Sequence, residues 1–461
     1  MKNKKILIIL SDYLFIRNYL ETKVFNKIIN TKHYTIEFLI NKSLKLNKKK
    51  LKNIKTSYFE YSNSERQKFL KIFQRKIWKD RGKSDSFKFK LKIYLNFNKY
   101  INSDDESLLQ KIIKFPLRFL RFIKNYISFL YDTLIIFSPI HKLYEDKIEI
   151  NKLLQTKIFT YKPDLIIMPT NTINPTKYDL YKILKKVKIK VLYLVDNWDN
   201  LSSKSTFFNK NSLFTVWGKQ TLQHAVKIQK IKKKNVYLMG TPRYEKYFRL
   251  RNKNITSNFK FKYILFLEST LPTESNILPL VDNIISRNNY LRDLKLIYRP
   301  HPWRKSVKIF KQKYFKNVII DPQVKDNYLK KNFQSHIQPN LNYYPSLLKN
   351  AEFIISGPTS MIIEALILRK PVLLLNFKNK KTLLNPYNIF NNFVHFKNIS
   401  KSPAIIQNNE IQNLEKDMIK CSKLVNKNLY LKIDRHRDFF LTENCKNYKS
   451  NLNKIIKKIL I

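Results

Sequence analysis

Glycine is scarce in this chain, with four in 461 residues, so each one that remains marks a place where a side chain has been kept out. Cysteine is scarcer: Cys421 and Cys445 form neither a disulfide framework nor a metal-ligand spacing, as expected in a reducing cytoplasm. Acidic residues are few, 33 against 90 Lys and Arg, for a formal net charge of +57. Lysines are spread through every segment rather than gathered in a stripe. Lys, Asn, Ile, Phe and Tyr, all with A/T-rich codons, are in excess together, so codon drift accounts for most of the charge. The field still attracts anions, such as a nucleic acid or an anionic membrane. Charge is the only feature that points to nucleic acid: no helix-turn-helix, zinc-finger or RNA-recognition signature accompanies it, so no specific nucleic-acid partner is expected. No uninterrupted apolar run reaches the roughly 18 residues of a membrane-spanning helix. The opening "MKNKKILIILSDYLF" has a short apolar run that meets Asp12 with no small-residue cleavage site, and reads as a buried strand rather than a leader.

What is present is apolar material for packed cores, 43% hydrophobic and 14% aromatic, in a chain long enough for two of them. Short apolar runs alternate with helix-length segments, the pattern of a doubly wound parallel sheet. Six runs, at 5–10, 34–40, 164–169, 190–196, 213–218 and 235–240, form a first series. Five more, at 263–269, 294–300, 317–322, 351–357 and 371–377, form a second, after a polar join at 252–260. The expected architecture is α/β: two Rossmann-like domains facing a cleft, 1–250 and 251–430, with a helical tail over 431–461. Residues 60–155 interrupt the first series with a basic, aromatic-rich helical insertion. Within it, 111–137 interleaves apolar residues with Arg118, Arg121 and Lys124 after a break expected at Pro116, a candidate for docking on an anionic membrane or for ordinary packing.

Ligands of open α/β sheets bind beyond the carboxyl ends of the strands, so polar residues just after strands carry the chemistry. In "IISGPTSMIIEALILRKPVLLLNF" (354–377), Ser356, Gly357, Thr359 and Ser360 form a strand-to-helix turn. Gly357 allows a sharp turn or a close ligand, and Thr359 or Ser360 can cap the helix and leave N–H groups and hydroxyls for phosphate, unless the cap is its whole role. Glu364, one turn on, can accept from sugar or ribose hydroxyls. "LIYRPHPWRK" ends another strand with Arg299 and His301, followed by Arg304, able to donate to or neutralise a phosphate. Glu268 and Thr270 end the strand at 263–269, and Gly240, Thr241 and Arg243 lie at the domain join. In the first half, "LYLVDNWDNLSSKS" (192–205) sets Asp196, Asn197, Trp198, Asp199 and Asn200 after a strand. Carboxylates, amides and an indole together suit sugar binding, although the same stretch could be an Asx-type turn around a half-buried Trp198. Asp199, Asp196 or Asp12 could serve as a general base.

"GTPRY" (240–244), "RPHP" (299–302) and the stretch 343–375 resemble the GT-B glycosyltransferases, in particular the surface-polysaccharide and CDP-glycerol glycerophosphotransferase-like branch. The resemblance covers mainly residues 210–380. It implies that the C-terminal domain holds a nucleotide-sugar or CDP-polyol donor, with His301 and the turn Ser356–Ser360 at its phosphates and Glu364 near the ribose or donor sugar. It implies an N-terminal domain for a glycan or lipid-linked acceptor. The expected location is the cytoplasm, at the inner face of the plasma membrane if 111–137 docks there. The Glu-rich, multi-glycine turn of many retaining members is absent, and so is an Asp-x-Asp metal motif. Metal- and cofactor-independent inverting transfer is therefore expected, with helix dipole and basic residues stabilising the leaving diphosphate. A nucleotide-sugar 2-epimerase of the same fold and a non-catalytic polyanion- or membrane-binding protein are the alternatives.

Overall fold

The computed structural model describes residues 3–44, 54–60, 84–94, 96, 107–137, 149–170, 175–205, 207, 209, 211–271, 274–302, 315–329, 340–378, 383–424 and 427–461. Two parallel sheets organise them. The first holds β1 (Lys4–Leu10), β2 (Tyr34–Asn41), β3 (Thr56–Phe59), β4 (Leu165–Thr170), β5 (Lys190–Val195), β6 (Leu213–Val216) and β7 (Val236–Leu238), in the order β3-β2-β1-β4-β5-β6-β7. The second holds β8 (Tyr263–Leu267), β9 (Lys295–Arg299), β10 (Val318–Ile320), β11 (Ile354–Ser356), β12 (Val372–Leu375) and β13 (Ile405–Asn408), in the order β10-β9-β8-β11-β12-β13. Every strand pair is parallel. Central strands such as β4 and β8 are buried along their whole length because helices cover both faces, which is why they read as unbroken apolar runs.

All eleven anticipated strands are present. The two that sequence reading omits, β3 and β13, are four-residue edge strands with mixed burial, too short and too polar to show a run. The C-terminal segment is no detached tail. Its last helix, Tyr448–Leu460, inserts Tyr448, Leu452 and Ile456 into the core beneath β1 and β4 with Ile6, Ile8 and Leu165. The chain therefore crosses from the second domain back to the first. The crossing is locked at Cys445, whose Sγ would lie 1.8 Å from a Cβ added at Gly240. Gly240 also takes a left-handed φ of +80°, so the join requires glycine twice over.

Within the insertion, the helix Asp85–Tyr94 spans both domains: Phe89 packs edge-on against Phe393 at 5.6 Å, and Ser86 accepts from the Val394 N–H at 2.8 Å. A second helix, Leu108–Phe137, continues through Pro116 rather than beginning after it. Pro116 is exposed, so water can take up the carbonyl left without its helical donor.

Candidate functional site

Register assembles the site. Ser356 of β11 lies opposite Leu267 of β8, and Leu267 lies opposite Arg299 of β9, so the carboxyl ends of three neighbouring strands deliver Glu268, His301 and the Gly357 turn side by side. The first sheet faces them with the segments after β1, β5 and β7. Between the two lies a cleft of about 670 Å³, whose walls include Asn197, Asp199, Arg243, His301, Thr359 and Ser360, with Glu364 behind the turn and Thr270 at the rim.

At its centre is a network of opposite charges. Arg243 donates to Asn197 Oδ1 at 3.2 Å, and its guanidinium lies 4.9 Å from the Trp217 ring centre and 4.7 Å from that of Tyr244. The hydroxyls of Tyr244, at 3.3 Å, and of Tyr247 donate to the two carboxylate oxygens of Glu364. Burial pushes the Glu364 carboxyl above its ordinary value, against the pull of Arg243. Burial likewise raises Asp196, with Arg243 and a 2.9 Å hydrogen bond from Asn18 opposing it. Arg17, which donates to Asn18 at 3.1 Å, completes the network and lines the cleft. Arg243 is held as a cation: desolvation weakens its charge, but Tyr244, Glu364 and Asp196 outweigh that loss.

Arg17 escaped sequence reading. It stands five residues after Asp12, beyond the strand end, on a π-helical turn, Ile16–Leu20, that swings it into the cleft. A second π-helical turn, Asn200–Lys204, follows Asp199 on the same wall. Such turns cluster at functional sites because their wider pitch re-aims side chains. Lys90, from the inserted helix, lines the cleft beside Ser203 and donates to its carbonyl; burial lowers its pKa to about 8.

The three candidate bases occupy different depths. Asp199 lines the cleft and pairs with Lys204 at 2.7 Å. Burial pushes its carboxyl up, but Lys204 and its neighbours win and hold it below the usual carboxylate range. Asp196 sits one layer behind, 1% exposed. Asp12 caps the short helix Tyr13–Phe15, accepting from the Leu14 N–H at 2.8 Å.

Several anticipated ligand residues are already engaged by protein partners, although Trp198, Glu268 and Arg299 also line the cleft. Trp198 is 1% exposed, donates to Gln220 at 2.7 Å, and is enclosed by His395, Phe396 and Phe440 at 5.1, 5.2 and 5.7 Å. Its ring faces are not open to a sugar; it is the apolar pin between the domains. Trp198→Ala should cost about 3–5 kcal/mol of stability in a denaturant titration, the range for a buried aromatic. Asn200 is buried and donates to the Thr170 carbonyl at 3.3 Å. Arg299 is 3% exposed, paired with Asp321, and donates to Gln323 at 2.8 Å, so it braces the cleft floor rather than offering a free cation. Glu268 accepts from the Tyr298 hydroxyl at 2.6 Å. Ser356 and Thr241 are fully buried, Ser356 bonding the Gly357 carbonyl at 3.0 Å. Arg304 lies outside the described residues.

At Gly357 the backbone is not left-handed, and the room left by the missing side chain is taken by a neighbouring carboxylate. A Cβ there would lie 1.8 Å from Oε1 of Glu274, a fully buried carboxylate that accepts from both the N–H and the hydroxyl of Ser269 at 2.6 Å. The glycine makes room for the carboxylate that fixes the β8 loop. Beyond it, Thr359 and Ser360 remain on the cleft wall, and the Thr359 hydroxyl accepts from the Met361 N–H at 3.4 Å, as the first turn of the helix Met361–Ile367 requires.

Two doubly wound domains facing a cleft across the ends of their strands constitute the GT-B fold. No protein-family model matches this sequence, and no curated protein does either. Solved structures do match. The glycotransferase of kitacinnamycin is similar over 100% of both chains, with 8% identity and a TM-score of 0.50. A protein from Listeria monocytogenes, described as a UDP-N-acetylglucosamine 2-epimerase, is similar over 99% of this chain and 96% of its own, with 10% identity and a TM-score of 0.51. The wall teichoic acid polymerase TagF matches over 99% and 89%, with 10% identity and a TM-score of 0.45. At such identities the likeness to the first two supports the fold alone, and chemistry must be argued from the cleft.

Proposed function

We propose that this chain is a GT-B transferase that moves a sugar or a polyol phosphate from a nucleotide-activated donor to a glycan or lipid-linked acceptor, without a metal or other cofactor, at the cytoplasmic face of the cell envelope. The observation that carries the reading is the convergence of Arg17 and Arg243 with Thr359, Ser360 and His301 in one cleft. A nucleoside diphosphate is the ligand such a pairing of guanidinium charge and hydroxyl donors fits. As the bond between donor carbon and diphosphate breaks, negative charge grows on the departing oxygen. Arg243 is pre-set to meet it, since its own partners hold it in place before reaction. The acceptor hydroxyl would enter from the opposite wall, with Asp199 the cleft-lining carboxylate able to take its proton. Lys90 and Tyr94 extend that wall beyond what a donor alone needs, which favours transfer over epimerisation.

Thermal stabilisation by CDP, CMP, UDP, GDP, dTDP and ADP tests the reading. A nucleotide at 100-fold excess over Kd should stabilise the folded state by about 2.7 kcal/mol. One base should stand out, and the effect should vanish in His301→Ala and in a Thr359→Ala, Ser360→Ala double variant. Equal shifts for all six that disappear between about 50 and 200 mM salt would instead mark non-specific polyanion binding and refute the donor site. Turnover of the nucleotide sugar to its 2-epimer without an acceptor would refute transfer while keeping the site.

A further inference from the structure

An amphipathic helix on a globular protein turns its apolar stripe inward and its charges to water. The helix Leu108–Phe137 leaves an apolar stripe in water as well. Leu109, Ile113, Leu120, Ile127, Tyr131 and Leu134 recur at three- and four-residue multiples along one side, and each is 58–72% exposed. The side turned to the body carries Arg118, Phe122, Asn125 and Phe129, all only half-buried. Lys114, Arg121 and Lys124 are exposed on the flanks, and the sequence from Leu108 to Tyr131 contains no acidic residue.

We propose that this helix lies in the plane of an anionic lipid bilayer, its apolar stripe among the acyl chains and its lysines and arginines at the headgroups. Charge decides the occupant. A second copy of the chain would bring the same cations together across an apolar seam, in a protein already at +57, and nothing acidic on the stripe would offset them. Nucleic acid would satisfy the cations and leave the stripe in water. An anionic bilayer satisfies both. No described helix is long and apolar enough to cross a membrane, and an in-plane helix needs no such length. Phe129, on the side turned to the body, packs against Tyr94 at 6.3 Å, and Tyr94 lines the cleft, so docking holds the bilayer one helix diameter, roughly 10 Å, from the cleft wall. Resting on the transferase reading, that proximity makes the acceptor a membrane-borne amphiphile; the docking itself does not depend on turnover.

Flotation of the full chain with vesicles tests it, using phosphatidylcholine alone and phosphatidylcholine with phosphatidylglycerol. The protein should float with the anionic vesicles only, and Leu109→Glu, Leu120→Glu, Ile127→Glu together should cut the bound fraction at least about tenfold. Arg121→Glu, Lys124→Glu, a change confined to exposed positions, should weaken binding to the same vesicles while the protein's thermal unfolding stays unchanged. Protein that stays in the soluble fraction with anionic vesicles at low salt overturns the proposal. So does light scattering that finds a dimer which the triple glutamate variant splits, since a second copy would then cover the stripe. Undiminished flotation of the triple variant would overturn the role of this helix and leave the nucleotide test untouched.

Discussion

Arg243→Ala should abolish turnover and remove the nucleotide-dependent stabilisation together. Three consequences add. The cleft loses the cation that the proposed transfer needs at the departing diphosphate, and loss of one such donor typically slows chemistry by about 10²–10³. Asn197 loses the 3.2 Å hydrogen bond that holds it on the wall. Glu364 and Asp196, both already shifted upward by burial, lose the cation that most opposes that shift. Breaking a buried charge pair from one side costs about 3–5 kcal/mol, because the remaining charge is left uncompensated. Arg243→Lys should not rescue. An ammonium cannot lie flat across Trp217 and Tyr244 or bridge to Asn197 at the same time. The measurements are single-turnover rate, nucleotide-dependent melting and urea unfolding of the same variants. Unchanged nucleotide binding in Arg243→Ala would remove the central residue from the proposed site.

Gly357→Ala should destabilise the protein by about 3 kcal/mol or more, a large effect for one methyl group. The new Cβ would sit 1.8 Å from Glu274 Oε1, so the carboxylate must move, and moving it breaks two 2.6 Å hydrogen bonds to Ser269 in a fully buried place. A ligand-clearance role predicts something different: normal stability and weakened nucleotide binding. The double variant Gly357→Ala, Glu274→Ala separates the two. If the carboxylate is the reason for the glycine, the two changes will be coupled by about 1–3 kcal/mol, the second costing far less in the presence of the first. Additive losses in urea unfolding would show that the glycine serves something other than Glu274.

Which residues occupy the cleft was partly legible in the chain. Polar residues after apolar runs are visible by position, and Asp199, Asn197, Arg243, His301, Thr359, Ser360 and Glu364 do share one cleft. What position cannot reveal is whether a polar side chain is already engaged. Arg299 and Thr359 both reach the cleft at strand ends, yet Arg299 is locked to Asp321 while the Thr359 hydroxyl accepts only a 3.4 Å hydrogen bond from the nearby Met361 N–H. Their difference comes from residues twenty or more positions away, or from another strand. Arg17 was missed for the converse reason: a π-helical turn carries it to a site that its distance from β1 does not suggest.

The sequence by itself determined the elements, because a run of apolar residues buried on both faces needs no information beyond its own composition. It determined the division into two doubly wound halves, and it determined the scarcity of glycine that makes each survivor informative. Tertiary structure decided the pairings: Glu274 against Gly357, Cys445 against Gly240, Trp198 between Gln220 and Phe440, and Arg243 between Asn197 and Glu364. Each joins residues distant in the chain. Such contacts are chosen by shape and charge only once the strands have set their register and the last helix has returned to the first domain.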